Sequence, residues 1–486
     1  MNRAPNIRAD KVSLLVLAAH CFIVASLNLF YLLYDLWGLE AESLIYPTCC
    51  LFMALAIWTY WSWYLVTQSL FNPYLLFFLS AVLFNGGQAL LEVFHMNPEG
   101  ILDGELTSES LLKTLFFVLL GLSSFHLGGL ISAVHGKVRG AKAKQKKDLE
   151  TVRKDTSKVG WTFFSISFLP SLIVIQQTIS IVLSGGYFSL YQQDDATSFS
   201  AAPQILSDFL VPASLFILAS STKIPKSQFI SASVIVVYVA TRFFLGQRNQ
   251  AVMPLIAFAW LWNKMIYPIP KTLLFGVGGF LGFIVLPLVG ATRNSAGQDR
   301  LSADSLLQTL SSMNNPVAEI ISEMGGSINT VAYTLELVPK VHGYNLGADY
   351  FYALLTLIPN LFWKIHPTIE RGTCGKWLTR QIKPSFAARG GSLGFSFIAE
   401  AYLNFGWAGG LIALGLLGFL VGKLTLWATR SENPAKMAMV ASFLSFFMFY
   451  ARSDSISQIR SLVWYSQIPY GSVRLLGWLR SKKLIA

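Results

Sequence analysis

An acidic residue and an amide lie four positions apart at the start of a long apolar run. Glu400 and Asn404 belong to the stretch 389–407, which begins as a glycine- and serine-rich loop and then becomes apolar. Residues four apart share one face of a helix, so we expect both side chains to point the same way. A carboxylate at the mouth of a membrane helix is costly unless it is paired or faces water. Glu400 is therefore our first candidate for a general base, and a helix-start carboxylate stabilised by the helix dipole is the alternative.

A set of arginines forms the second chemical signal, because the topology described below places all of them at the outer membrane surface. They are Arg242, Arg248, Arg293, Arg389, Arg452 and Arg460. Cations in membrane proteins normally favour the cytoplasmic side, so this exception needs a reason. Single members can be structural, since Asp454 lies close enough in sequence to pair with Arg452. Arginine binds phosphate in a bidentate manner and keeps its charge in apolar surroundings. Together these residues predict a site for a polyanion such as a lipid-linked pyrophosphate.

The composition is that of a membrane protein. Of the 486 residues, 53% are hydrophobic and only 13% are charged, whereas a soluble domain carries about a quarter charged residues. Apolar runs of roughly 20 residues recur along the whole chain, and each is long enough to cross a bilayer. Lipid offers no partner for backbone polar groups, so these spans must be helices. We predict an all-α, polytopic integral membrane protein, with about 12 transmembrane helices in a single domain over residues 1–486.

The distribution of charge predicts the topology. The net charge of +12 does not indicate nucleic-acid binding, because much of it lies at the two ends and in the loop 137–158. By the positive-inside rule, this basic loop and both termini are cytoplasmic. The predicted spans are 12–33, 44–66, 73–94, 111–134, 161–183, three ending near 220, 245 and 262, and then 272–291, 395–426, 437–450 and 462–478.

A large outer loop follows from this topology and covers residues 293–394. Most of it is too polar to span a membrane. Its apolar part, 350–363, has only about 14 residues and contains Pro359, so we predict a packed or interfacial helix there. The stretch from 313 to 337 is predicted to be an amphipathic helix, with Asn314 and Asn315 as a cap and Pro316 in the first turn.

Glycosyl transfer from a polyprenyl pyrophosphate fits these residues. The leaving group is already a stabilised anion, so cations that stabilise its developing charge help more than an acid would. Glu319 and Glu323 in the outer loop are alternatives to Glu400 as the base, although an exposed helix surface also explains them.

The 4 cysteines and 6 histidines show no metal-site spacing, and no strand–helix unit surrounds the paired glycines. We therefore predict no metal and no cofactor.

The stretch 389–410 resembles the signature of the Wzy-type O-antigen polysaccharide polymerases. Residues 390–406 read GGSLGFSFIAEAYLNFG, and the family motif is similar to GGSLGFSxIAExYxNFG. The segments 323–339 and 344–360, and the turn that ends in Arg248, are also similar to family segments. The resemblance weakens before residue 161, so sugar specificity is not implied by it.

The resemblance implies a fold like that of the C-type membrane glycosyltransferases and a metal-independent reaction. Such proteins transfer a growing chain from undecaprenyl pyrophosphate to another lipid-linked unit, at the periplasmic face of the bacterial inner membrane. A co-polymerase of the Wzz kind, which sets chain length, is an implied partner. Arg248, Arg293 and Arg389 are implied pyrophosphate or saccharide contacts, and Glu400 is the implied acid/base or acceptor-positioning residue. Further substrate-binding candidates are Arg242, Glu323, Tyr402, Asn404, Arg452 and Arg460.

Two other functions stay open at this point. An O-antigen ligase would share the fold and the arginines, but we expect it to need a histidine in the outer loop, where His342 and His366 are isolated. A transporter or flippase of lipid-linked sugars would more typically show internal repeats and charges at the membrane midplane. No repeat is visible in this sequence.

Overall fold

The computed structural model describes residues 7–97, 100–135, 146–191, 202–222, 224–292, 315–360 and 363–482. All regular secondary structure within these ranges is helical. The α-helices, numbered in chain order, are α1 (Ile7–Leu33), α2 (Ala41–Thr67), α3 (Pro73–Val93), α4 (Ser108–His135), α5 (Lys146–Gly185), α6 (Ala202–Ser207), α7 (Leu210–Ser220), α8 (Pro225–Phe244), α9 (Arg248–Met265), α10 (Lys271–Phe280), α11 (Leu286–Thr292), α12 (Pro316–Gly325), α13 (Ile328–Leu337), α14 (Ala348–Leu355), α15 (Pro367–Arg371), α16 (Cys374–Ile382), α17 (Pro384–Ala388), α18 (Phe397–Thr429), α19 (Pro434–Phe447) and α20 (Ser455–Ser481).

Ten helical segments in the described ranges are long and apolar enough to cross a membrane. The prediction of a polytopic all-α membrane protein is therefore confirmed. The other two predicted spans correspond to α9 and α20, which have 18 and 27 residues but are more polar. At 1.5 Å per residue, even α9 is about 27 Å long, close to the thickness of the hydrocarbon layer.

The helices α4 and α18 form the most extensive helix pair of the described structure. Their backbones touch at glycines. A Cβ atom on Gly128 would lie 1.8 Å from the carbonyl oxygen of Gly415, and one on Gly418 would lie 1.8 Å from that of Phe125. Lipid tails are as apolar as leucine, so membrane helices associate mainly through such close packing of small residues. The glycines of this pair therefore set how closely α18, which carries the signature, approaches the bundle.

The buried apolar side chains form two clusters that flank α19. One lies among α2, α3, α4 and α18 and includes Phe77, Phe125 and Phe397. The other lies among α7, α8, α9 and α19 and includes Phe216 and Trp260. Helix α20 contacts α19, α14, α5 and α7.

The segment 293–394, predicted as the outer loop and called by that name below, consists of short helices in its described part. The predicted helix 313–337 is divided into α12 and α13, and the Asn315 side chain caps α12 by accepting a hydrogen bond from Ala318 N at 3.1 Å. Helix α14 has 8 residues, about 12 Å, which is too short to span a membrane. It packs against α20. Part of the basic stretch 137–158 forms the first turns of α5, and residues 136–145 lie outside the described ranges.

Candidate active site at one end of the helix bundle

Glu400 lies inside the protein, one turn after the start of α18. Ser396 caps this helix by accepting a hydrogen bond from Ile398 N at 3.1 Å. The Glu400 side chain is 0% exposed. Both carboxylate oxygens accept a hydrogen bond from Ser455 N at 3.0 Å, and Oε2 also accepts from Ser455 Oγ at 2.9 Å and from the Tyr450 hydroxyl at 3.1 Å. The carboxylate therefore holds the first residue of α20.

A break in α18 lets the backbone of this helix bind the outer loop. Gly406 interrupts the helix with φ of 67° and ψ of −160°, which frees carbonyl groups that an unbroken helix would bond internally. The carbonyl oxygens of Leu403 and Asn404 instead accept the N–H groups of Asn345 and Leu346, each at 3.0 Å. Glycine suits this position because its φ is positive and because a Cβ atom would lie 3.1 Å from the Tyr344 ring.

The Asn404 side chain adds a second connection to this loop. Its Nδ2 donates to Asp349 Oδ2 at 3.0 Å and to the Glu400 carbonyl at 2.8 Å, and its Oδ1 accepts from Gly347 N at 3.1 Å. Asp349 is 2% exposed and also pairs with Arg371 at 2.9 Å. Glu400 and Asn404 do share one helix face, as expected, and both bind other parts of the protein.

Two predicted residues, Arg248 and Glu323, form an ion pair. Both carboxylate oxygens of Glu323 accept from the guanidinium, with Oε2 at 2.9 Å from one terminal nitrogen. The same nitrogen of Arg248 donates to the Leu286 carbonyl at 3.3 Å. The pair therefore joins the start of α9 to α12 of the outer loop.

Arg242 lies deeper, at the end of α8. It is only 5% exposed, and a terminal nitrogen donates to Gln247 Oε1 at 2.6 Å. Its guanidinium carbon lies 4.9 Å from the centre of the Tyr238 ring, which is the geometry of a cation–π contact.

The remaining predicted residues have different surroundings. Arg452 is half-buried, with its guanidinium 5.9 Å from the centre of the Phe84 ring. Arg389 is exposed and donates to the Ser385 carbonyl at 3.3 Å. Arg460 is exposed on the second turn of α20. Tyr402 is buried and donates to the Val338 carbonyl at 3.2 Å. Arg293 lies outside the described residues.

Helix α3 connects these groups at one end of the bundle. Asn85 donates to the Ala451 carbonyl at 3.0 Å and accepts from Ser396 Oγ at 2.5 Å. One turn further, α12 packs so closely that a Cβ atom on Gly325 would lie 2.8 Å from Gln88 N. The Arg248–Glu323 pair, the turn that carries Arg452 and the start of α18 therefore lie at the same end of the protein.

Several polar residues at this end were not among the predicted site residues. Asp454 is 2% exposed and caps α20 by accepting from Ser457 N at 3.0 Å, and burial raises its pKa. Burial also raises the pKa of the Cys374 thiol well above its usual value. Asp208 is the only acidic residue in the apolar segment Ala202–Ser220, and a lone charge in such a run is a signal that could have found it.

In the ranges that the structure describes, no group of three or more His, Cys, Asp or Glu residues could hold a metal ion. The described polar groups at this end are arginines, buried carboxylates and hydroxyl groups. Such a set can bind anions and accept protons.

The comparisons with known proteins agree with this architecture. The family model described as O-antigen polysaccharide polymerase Wzy matches residues 17–476, which is nearly the whole chain. Comparison with curated proteins and with solved structures gave no match. The match includes the helices of both apolar clusters, the outer-loop helices and the residues around Glu400. This multi-pass membrane protein therefore belongs to the O-antigen polysaccharide polymerase Wzy family.

Proposed function

We propose that this protein polymerises oligosaccharide repeat units carried on undecaprenyl pyrophosphate, at the periplasmic face of the bacterial inner membrane. Membership of the polymerase family supports the reaction class. The positions of the arginines support the undecaprenyl pyrophosphate donor. Arg242, Arg248 and Arg452 belong to the same end of the bundle as the signature residues of α18, and this end also carries the outer loop.

The reaction needs no nucleotide sugar and no metal in this scheme. A hydroxyl group at the non-reducing end of one lipid-linked unit attacks the anomeric carbon of the growing chain. The bond from that carbon to the pyrophosphate oxygen breaks, and the electron pair stays on undecaprenyl pyrophosphate. The arginines stabilise this developing charge through guanidinium N–H groups that are already in place before the reaction begins. The hydroxyl proton passes to a carboxylate and then to water.

Glu400 serves this site through the residues that it holds. Its contacts with Ser455 and Tyr450 fix the turn that contains Arg452, and they also fix the start of α20, which carries Arg460. These contacts support a role in positioning Arg452 and Arg460, whereas the resemblance implies an acid/base or acceptor-positioning role. The alternative role of Glu400 as the general base stays a prediction. A base must reach the reacting hydroxyl, and the 0% exposure of Glu400 argues against such a contact.

The ligase alternative depends on a reactive histidine in the outer loop. His366 is 6% exposed, and its Nδ1 caps α15 by accepting from Thr368 N at 3.3 Å. Its Nε2 lies 3.1 Å from the Ile358 carbonyl. His342 is half-buried and packs edge-on against Trp377. The engagement of both His366 nitrogens favours a structural role, so the polymerase is the better-supported function.

A reconstitution experiment tests the proposal. Purified protein in lipid nanodiscs is incubated with lipid-linked repeat unit extracted from its host, with EDTA present and without nucleotide sugars. We expect a ladder of products of increasing length, and adding a Wzz-like co-polymerase should narrow the range of lengths. Absence of a ladder from folded protein would overturn the proposal, and transfer that occurs only when lipid A core is added would identify a ligase.

A further inference from the structure

A polar cluster interrupts the membrane segment Ala202–Ser220. Helix α6 ends at Ser207 and α7 begins at Leu210, so Asp208 lies in the break between them. Broken helices inside a membrane are tolerated where the freed backbone lines a cavity or binding site, and they commonly form the substrate sites of membrane transport proteins. The only acidic residue of this segment therefore lies at the segment's only break, where a ligand can reach it.

The Asp208 carboxylate has few partners within the protein. Gln204 Nε2 donates to Oδ1 at 3.1 Å, and the Tyr465 hydroxyl donates to Oδ2 at 3.2 Å. Arg242 and Arg460 both interact electrostatically with it, yet neither forms an ion pair with it in the described structure. A carboxylate has about four lone-pair sites, so each oxygen can accept at least one further hydrogen bond.

The surroundings of Arg242 also indicate that a ligand binds here. Although this side chain is only 5% exposed, its Nε is buried and has no hydrogen-bond partner among the described residues. A buried donor without an acceptor costs about 1–3 kcal/mol, and more when the group is charged. An anionic or hydroxyl-bearing ligand beside Arg242 would remove that cost.

A carboxylate that does form an ion pair, Asp155, has different surroundings. Asp155 of α5 and Arg480 of α20 form two hydrogen bonds, at 2.7 and 2.8 Å, and Asp155 is 2% exposed. Asp208 is half-buried and leaves its two neighbouring guanidinium groups unpaired with it. The Asp208 cluster is therefore built with open hydrogen-bonding positions, which the Asp155 pair lacks.

We infer that Asp208 is the general base of the polymerisation reaction, with Arg242 and Arg460 beside it to bind the pyrophosphate of the lipid-linked donor. This inference rests on the proposed function. The acceptor hydroxyl loses its proton to an Asp208 oxygen as its oxygen bonds to the anomeric carbon. The bond between that carbon and the pyrophosphate oxygen breaks, and the electron pair leaves with the pyrophosphate between the two arginines. The proton on Asp208 is then released to water.

The test compares Asp208→Asn with Asp155→Asn in the reconstituted full-length protein. Both changes replace a carboxylate by an amide of the same size, and in the wild-type protein each carboxylate interacts with an arginine. The rate of polymer formation from extracted lipid-linked repeat unit is measured per mole of folded protein. Binding of undecaprenyl pyrophosphate is measured separately. We expect Asp208→Asn to slow polymerisation by about 10²–10⁴-fold with unchanged binding, and Asp155→Asn to polymerise at the wild-type rate.

The possible outcomes separate the two proposals. No polymer from the wild-type protein would overturn the proposed function itself. Polymer from Asp208→Asn at the wild-type rate would overturn the role of Asp208 and leave the polymerase function standing. Equal loss of binding and polymer in Asp208→Asn would also overturn the role as a base, because the residue would then act by arranging the arginines.

Discussion

The carboxylate of Glu400 accepts hydrogen bonds from the backbone N–H and the hydroxyl of Ser455, the first residue of helix α20. An acidic residue of the signature in α18 thus binds the positive end of a different helix, 55 positions further along the chain. The turn before Ser455 carries Arg452 and Asp454. Through this one contact, the signature helix fixes the position of residues that the sequence separates widely.

Replacement of Glu400 by glutamine tests this relationship. A glutamine amide has one acceptor oxygen instead of two, and its NH2 group would take the place of an oxygen that accepts from Ser455 N. Two N–H donors would then face each other inside the protein, at a cost of about 1–3 kcal/mol. We expect Glu400→Gln to lower the melting temperature and to abolish polymer, while delivery of single repeat units continues. Ser455→Ala keeps the backbone N–H contact, so it should lower the melting temperature and polymer formation less than Glu400→Gln does. Loss of polymer from a Glu400→Gln protein of wild-type stability would instead favour direct chemistry by Glu400.

Two substitutions of Asn404 should differ in severity. Asn404→Ala removes the contacts to Asp349 and Gly347, which we expect to loosen the loop around residues 345–349. Asn404→Asp places a second carboxylate beside the buried Asp349, and like charges at that distance repel strongly. Limited proteolysis of the outer loop measures the effect. Cleavage should be faster in Asn404→Asp than in Asn404→Ala, and the reverse order would contradict the proposed contact.

The Arg248–Glu323 pair is suited to a double-mutant cycle. If Arg248 served only as the partner of Glu323, then Arg248→Ala, Glu323→Ala and the double variant would lower polymer formation equally. We expect Arg248→Ala to reduce it more than Glu323→Ala, because Arg248 also contacts the pyrophosphate in our proposal. The coupling in stability should be small, about 1 kcal/mol or less, because the Glu323 side chain is 40% exposed. Equal activities in all three variants would remove Arg248 from the site.

The glycine contact between α4 and α18 predicts opposite effects for the same substitution at two positions. Alanine normally stabilises a helix relative to glycine by about 0.5–1 kcal/mol. At Gly418, however, the new Cβ atom would lie 1.8 Å from the Phe125 carbonyl oxygen, so Gly418→Ala should lower the yield of folded protein. Gly276 in α10 has nothing within 4 Å of its Cβ position, and Gly276→Ala serves as the matched control. Equal yields of both variants would contradict the packing.

Part of the candidate site follows from the sequence alone. Glu400 and Asn404 share a face because helical periodicity is local, and Asn315 caps α12 because the cap depends on neighbouring residues. The resemblance in residues 389–410 pointed to the family that the match over residues 17–476 confirms. Arg248 and Glu323 were both singled out as substrate-binding candidates, yet no sequence pattern indicated that they would pair with each other.

The sequence by itself determined the membrane class and the all-helical fold, because the cost of placing residues in lipid is a local property of each apolar run. Only the tertiary structure decided which polar groups meet. Asp208 lies between α6 and α7, Arg242 in α8 and Tyr465 in α20, and the partner of Glu400 lies beyond another helix. Membrane helices are apolar on nearly every side, so their sequences show little of which face meets a neighbour. Close packing at sites such as Gly418 fixes the rotation of each helix, and that rotation brings the charged residues together.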